Sequence, residues 1–589
     1  MISRSWQFFR AGCVSDADFD CGLWLAACGL QNALHFFEWP SDFFLVIFHR
    51  RLAFVQCRNL MCNILSSVTP ASFYSGALVP FSGKKLKVNG MYKNLTVIAC
   101  LSLFFLSFQI HKQEENRIRP LPENPHYLAW GATPVFPLGA TGYHSWTPIS
   151  RPAEVDFTAQ LDRLATVIDE IGSPHVCGFV RCLPYDPMNH MHDGEVTKVL
   201  QPWLRLSDGR FDLAQFEPAW EERLRAFLDA TLERRIMVSL EVWDDWSVTR
   251  GPGGAYDPGE GNAWNAHPFN PENNVNYSET LLSAETSVCN APFYSTIPSR
   301  KNNVQVLRLQ KKYVDHLLSI VTGYPHIILN ISNESRAHLD WSRFWAEYIR
   351  EKVPAGFMIG DMPSTNRLDG GGECAYEFNP LTLCTEPLYD FVDIAQGVSG
   401  HEFGKPQQQA IGGGQRIYSY RQAMAEAGTR RPLIVSKDYS RNAGGGELVL
   451  WGRFISGAAA ARFHRPAGDN PESVIRFQHK AIGKLGRLIA EVPFWNMQPN
   501  PGMVKKLPED AGANVLANDS VCVVQLAGVS TAGSVHLGVS PGTWSVRWID
   551  PSTGEDMNRT ETVVKATSLK LNFPNGPDHR ILFLKKKAN

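Results

Sequence analysis

Several classes of function lack support in this chain. There is no basic excess to draw in nucleic acid: 57 Lys and Arg stand against 58 Asp and Glu, a net charge of −1, with no long block of like charge. The 12 cysteines form no C-x-x-C pair, which argues against zinc ribbons and fingers. No Gly-rich dinucleotide fingerprint follows any expected strand, so no nucleotide cofactor is called for. The apolar run 95–108 falls short of the roughly 20 residues a transmembrane helix needs.

That run does fit a different role. Residues 1–90 show no sustained helical or alternating period, and the composition changes at Met91. Met91-Tyr92-Lys93-Asn94, the apolar run and Gln109-Ile110-His111-Lys112 follow the order of a secretory signal: charged start, apolar centre, polar exit. The expectation is a signal peptide over 91–112 and an exported, secreted or periplasmic, protein with no stable membrane span. Residues 1–90 would then be a non-native or disordered extension.

From about residue 120 apolar strands and helical periods alternate. Strands are expected at 134–141, 175–183, 235–243, 326–333, 357–361, 391–401, 432–436 and 459–463, separated by helices such as the one that repeats Phe157, Leu161, Leu164 and Ile168 at three- and four-residue steps. Eight such units over 120–494 predict an α/β fold, a (β/α)8 TIM barrel, with a doubly wound open sheet as the alternative. Over 495–589 short alternating strands separated by Gly, Pro and Asp turns predict a small all-β sandwich.

A TIM barrel carries its chemistry where its strands end. Those ends offer His144 and Trp146, Arg181, Trp243 and Asp244, Asn333 and Glu334, Asp361, His401 and Glu402, and Ser436, Lys437 and Asp438, while the long loop after strand three adds Trp264 and His267. Hydrolysis of a glycosidic bond needs two carboxyl groups flanking it. Glu334 suits the acid/base role, because partial burial would move its titration toward neutrality. Asn333 could hold a sugar hydroxyl, Arg181 could keep a second carboxylate ionised, and the aromatic rings could stack on sugar faces. His190 and His192 have metal-ligand spacing without a third ligand cluster, and Cys374 and Cys384 flank a loop that a disulfide could close.

An Asn-Glu ending strand four, an Arg ending strand two and a carboxylate after strand seven resemble the clan of retaining glycoside hydrolases that includes the cellulases and β-mannanases. Phe211-Asp212-Leu213, Pro218-Ala219-Trp220, His267-Pro268-Phe269-Asn270 and Ile331-Ser332-Asn333-Glu334 resemble, more narrowly, a group of secreted bacterial cellulase-like glycosidases. Several of these end in a β-domain of a collagen-binding type, which 544–554 is similar to. The resemblance implies retaining hydrolysis of a poly- or oligosaccharide without a cofactor. One departure stands out. The clan's seventh strand ends in Ser or Thr followed by Glu, whereas here Ser436 is followed by Lys437 and a carboxylate comes only at Asp438. Asp438 and Glu402 are therefore the rival nucleophiles, and a barrel that binds carbohydrate without cleaving it is the alternative function.

Overall fold

The structure is a computed structural model. It describes residues 116–588 except 141–148, 150–156, 186–199, 249–263, 265–266, 279–280, 283–292, 336, 364–379, 399–405, 439–445, 465–470 and 530–532. The expected extension and signal segment lie outside the described residues, as do His144, Trp146, His190, His192, Cys374, His401 and Glu402.

Eight parallel strands form the barrel: β1 Thr133–Gly139, β2 Val176–Cys182, β3 Ile236–Asp244, β4 Ile327–Asn333, β5 Ile359–Gly360, β6 Val392–Asp393, β7 Leu433–Asp438 and β8 Ala460–Phe463. Their order is β6-β7-β8-β1-β2-β3-β4-β5. The gap between β5 and β6 is bridged by backbone hydrogen bonds from Asp390 to Ile359 (2.7 Å) and from Asp393 to Asp361 (3.1 Å). The alternative of an open sheet is thereby set aside. The strands read as near-continuous apolar runs because both faces are covered: every residue of β2, β3 and β4 is buried.

The outer face of the strands packs on helices. They include α1 Phe157–Ile171, α2 Pro218–Glu233, α3 Val304–Val321, α4 Leu339–Arg350, α5 Pro380–Thr385, α6 Pro406–Glu426, α7 Gly446–Ile455 and α8 Pro471–Glu491. In α2, Pro218 occupies the first turn and the Glu217 side chain accepts from the Ala219 N–H, satisfying one of the helix's free donors. Trp220, Leu224, Phe227 and Leu228 then fall on one buried face. Among the described residues no helix is long and apolar enough to cross a membrane.

Inside, the barrel divides by polarity. The floor is one apolar cluster: Val135, Phe179, Met237, Ile328, Met358, Phe391, Ile434 and Ala460 meet Ile118, Leu128 and Trp130 of an antiparallel hairpin that closes the bottom. Above it sit Arg181, Glu241, Asn330, Asp393 and Arg462, none more than 1% exposed. Gly139 makes room for one of them: a Cβ there would lie 2.6 Å from the Arg462 side chain and 2.2 Å from the Phe179 carbonyl.

Beyond α8 the chain builds a six-stranded and a three-stranded antiparallel sheet that share an apolar cluster including Val524, Leu526, Val535, Leu537, Trp544 and Val546. This β-region docks on α6 and α7. Asn514 donates to the Ala410 carbonyl (3.0 Å), Gln525 donates to the Leu448 carbonyl (2.7 Å), and the two amides bond each other (2.8 Å). Gly414 and Gly452 permit the close approach, since a Cβ at either would fall within 3.0 Å of Asn514 or Gln525.

Candidate active site

At the end of β4 the backbone leaves the strand abruptly. Asn333 is its last residue, and Glu334 adopts a left-handed conformation with φ of 51°. For a residue with a Cβ this costs about 1–2 kcal/mol, and such conformations persist where the surroundings enforce them. Here the Ser335 N–H donates to the Met362 carbonyl at 2.8 Å, anchoring the chain just past the turn.

The register between β3 and β4 sets Asp244 beside Asn333, and the Asn333 amide donates to Asp244 Oδ1 at 2.7 Å. The Asn333 Oδ1 accepts from Arg181 Nη2 at 2.9 Å and from Lys437 Nζ. Arg181 is itself held by a two-pronged pair with Glu241, both contacts 2.6 Å and both side chains fully buried. Bidentate guanidinium–carboxylate pairs fix orientation as well as charge. Glu334 Oε1 accepts from Gln396 Nε2 at 2.8 Å and from Lys437 Nζ.

Lys437 reaches this position because β7 runs longer than expected, through Asp438, and its register with β8 shifts between Val435 and Asp438. That irregularity reverses the alternation set by inward-facing Ile434, so the two neighbours exchange sides. Lys437 turns to Asn333 and Glu334, while Asp438 bonds Arg453 Nε of α7 at 3.1 Å in a pair less than 2% exposed. Arg453 also donates to the carbonyls of Val398 (2.8 Å) and Gln409 (3.4 Å). The expected nucleophile is thus engaged in an ion pair with a helix outside the sheet, and Lys437, at the position where a glutamate was expected, touches the expected acid/base.

Burial shapes the charges. It lowers the Lys437 ammonium, aided by the Arg181 cation, against the upward pull of Glu334 and Glu241. It pushes Asp393 up to about 6, although Asp393 accepts from the Ala395 N–H at 3.0 Å. It pushes Asp361 up to about 7 in spite of bonds from Ser342 Oγ, the Met362 N–H and the Ser332 N–H. It lowers Arg462 to about 9, with the nearby Arg181 cation adding to the fall. Cations Arg181, Lys437 and Arg462 therefore interleave with carboxylates Glu241, Asp244, Glu334 and Asp393.

Three rim expectations are corrected by burial. Trp243 is 1% exposed and packs outward, its ring 5.0 Å from Tyr313, 5.2 Å from Phe293 and 5.4 Å from Trp345. Trp264 and His267 stack on each other at 5.4 Å as the buried anchor of the loop after β3. His267 accepts from the Phe269 N–H at 3.0 Å, and burial lowers it to about 3, so its imidazole is neutral. Cys384 is a buried free thiol, pushed up to about 12 by burial; Cys374, at the other end of the loop, lies outside the described residues. Among the described residues no group of His, Cys, Asp and Glu is placed to hold a metal.

Sequence reasoning missed Glu241, Asp393, Arg462, Gln396 and Arg453. The first three carry a readable signal, a charge inside an otherwise apolar strand, as in Leu240-Glu241-Val242 and Ala461-Arg462-Phe463. Gln396 and Arg453 carry none, because only the packing of a turn and a helix brings them to the site.

No protein-family model matches the chain, and no curated protein sequence matches it. Solved structures do. A glycoside hydrolase superposes with a TM-score of 0.52 at 10% identity, over 80% of this chain and 97% of its own. A glycoside hydrolase family 5 protein from Bacteroides vulgatus ATCC 8482 superposes with a TM-score of 0.51 at 12% identity, over 80% of this chain and 94% of its own. At such identities the likeness is one of fold: this chain is built as a (β/α)8 barrel with further β-sheets.

Proposed function

We propose that the protein is a glycoside hydrolase acting on a poly- or oligosaccharide, with Glu334 as the carboxyl group that exchanges a proton with the glycosidic oxygen. The observation that carries this reading is the convergence of Asn333, Glu334, Arg181 and Asp244 where β2, β3 and β4 end. Glu334 is the most exposed of them at 7%, so it is the group best placed to meet a ligand. The likeness of fold to glycoside hydrolases supports the reading.

Retention, the outcome implied by the sequence, requires a second carboxylate about 5–5.5 Å from the first. Asp438 would supply it by leaving Arg453; the rival candidate Glu402 lies outside the described residues. A specific observation favours a second reading. Lys437 sits on Glu334, and an ammonium in contact with a carboxylate favours the charged form of both, which suits a barrel that binds carbohydrate without cleaving it. Hydrolysis of a glycan panel by the wild type and Glu334→Gln separates the two. Turnover lost in the variant supports the hydrolase, and binding without turnover in both supports the binder.

Export through a signal beginning at Met91, and a sandwich arrangement of the C-terminal sheets as a collagen-binding-type domain, belong to the same proposal. N-terminal sequencing of the native protein tests the first. Peptides from residues 1–90 in the native protein would contradict it.

A further inference from the structure

We infer that Lys437 is an imine-forming lysine, able to bond covalently to the carbonyl carbon of an aldehyde or ketone such as the open-chain form of a reducing sugar. No part of the hydrolase reading requires this.

The Lys437 side chain is 1% exposed at the end of a barrel strand. Its Nζ and Arg181 Nη2 converge on one oxygen, Asn333 Oδ1. Two cations crowded onto a single acceptor in a dry site each disfavour the other's charge, and burial and Arg181 outweigh the opposing pull of Glu334 and Glu241 on the Lys437 ammonium, while Arg181 cannot give up its proton. Desolvation and a neighbouring cation are the two devices that turn lysine into a nucleophile. The acceptor for its proton is already in contact, at Glu334 Oε1. Glu334 is also the more exposed partner, 9% against 1% by side chain, so a ligand arriving over Glu334 meets the amine next.

The steps balance. A proton passes from the Lys437 ammonium to the Glu334 carboxylate. The amine lone pair attacks the carbonyl carbon, and the C=O π pair moves to oxygen, which takes the proton from Glu334. The adduct nitrogen returns a proton to Glu334. The hydroxyl then leaves as water with that proton as the nitrogen lone pair closes the C=N bond. Ammonium and carbonyl have become the protonated imine and water, with Glu334 returned to its carboxylate form and no redox change.

The test incubates the full chain with glyceraldehyde and sodium cyanoborohydride and follows labelling by peptide mass mapping. Lys587, whose side chain is 49% exposed, serves as the internal reference. The inference expects Lys437 to acquire one reduced glyceraldehyde faster than Lys587. Glu334→Gln should slow labelling at Lys437 by about tenfold or more and leave Lys587 unchanged. Lys437 unlabelled, or labelled no faster than Lys587, overturns the inference, and so does a Glu334→Gln variant that labels Lys437 at the wild-type rate. The wild-type comparison stands even where the variant fails to fold. A protein that labels at Lys437 yet cleaves no glycan removes the hydrolase reading and leaves this one intact.

Discussion

Lys437 donates to Glu334 across the mouth of the barrel, from the end of β7 to the turn after β4. The lysine stands where a second carboxylate was expected, and it ties two strand ends together by charge. Replacing it with methionine keeps the length and removes the ammonium. Breaking one side of a buried pair costs about 3–5 kcal/mol, so Lys437→Met should unfold at clearly lower denaturant than the wild type, with an unchanged slope. An unchanged midpoint would mean that the pair contributes nothing to the fold.

Arg181 holds Glu241 with two bonds and Asn333 with a third. Lysine has the charge without the fork. Arg181→Lys is expected to lose about 2 kcal/mol and Arg181→Met about 3–5 kcal/mol. Denaturant melts of both variants check the ranking. Equal losses would show that charge alone, and not the planar geometry, matters at this position.

Asp361 gives a pH signature. Its carboxyl leaves the usual 3.8 for about 7, chiefly through burial. The native state therefore holds a proton that the unfolded chain releases above about 4. Stability from this group is full below pH 4 and is lost as pH rises toward 7. Buried His267 and His326, both lowered to about 3, act the other way and lose stability as pH falls below 6.5. Comparing wild type with Asp361→Asn cancels the histidines. The wild type should lose ground to the variant steadily from pH 4.5 to 7, at up to about 1.4 kcal/mol per pH unit. A constant difference over that range would contradict the assignment.

The β-region is seated through Asn514 and Gln525 against α6 and α7. Gly414 lies under Asn514, where a Cβ would come within 2.4 Å of its Oδ1. Gly414→Ala should cost about 1–3 kcal/mol by overpacking and split one calorimetric transition into two as the β-region loosens first. A single, unshifted transition would show that the interface can adjust.

Most of the barrel was legible because its signal is local. An apolar run such as Ile327–Leu329 or Leu433–Val435, bounded by polar residues, reads as a strand buried on both faces, and the helices between repeat at 3.6. The site was legible where it follows from strand ends: Arg181, Asp244, Asn333, Glu334 and Lys437 all meet. What escaped depends on contacts distant in sequence. Whether Trp243 faces a ligand or a core is decided by Tyr313, Phe293 and Trp345, from 50 to 102 residues further along the chain. The side taken by Asp438 depends on a register shift against β8 and on an arginine of α7, neither of which leaves a mark in Ser436-Lys437-Asp438.

The most direct measurement is reducing-end release from a panel of neutral and acidic polysaccharides by the wild type and Glu334→Gln, with folding of both verified by calorimetry. The hydrolase reading predicts release by the wild type on at least one glycan and a loss of about 100-fold or more in the variant. Equal release by the two proteins would remove Glu334 from the chemistry, and its absence from both across the panel would contradict the hydrolase reading.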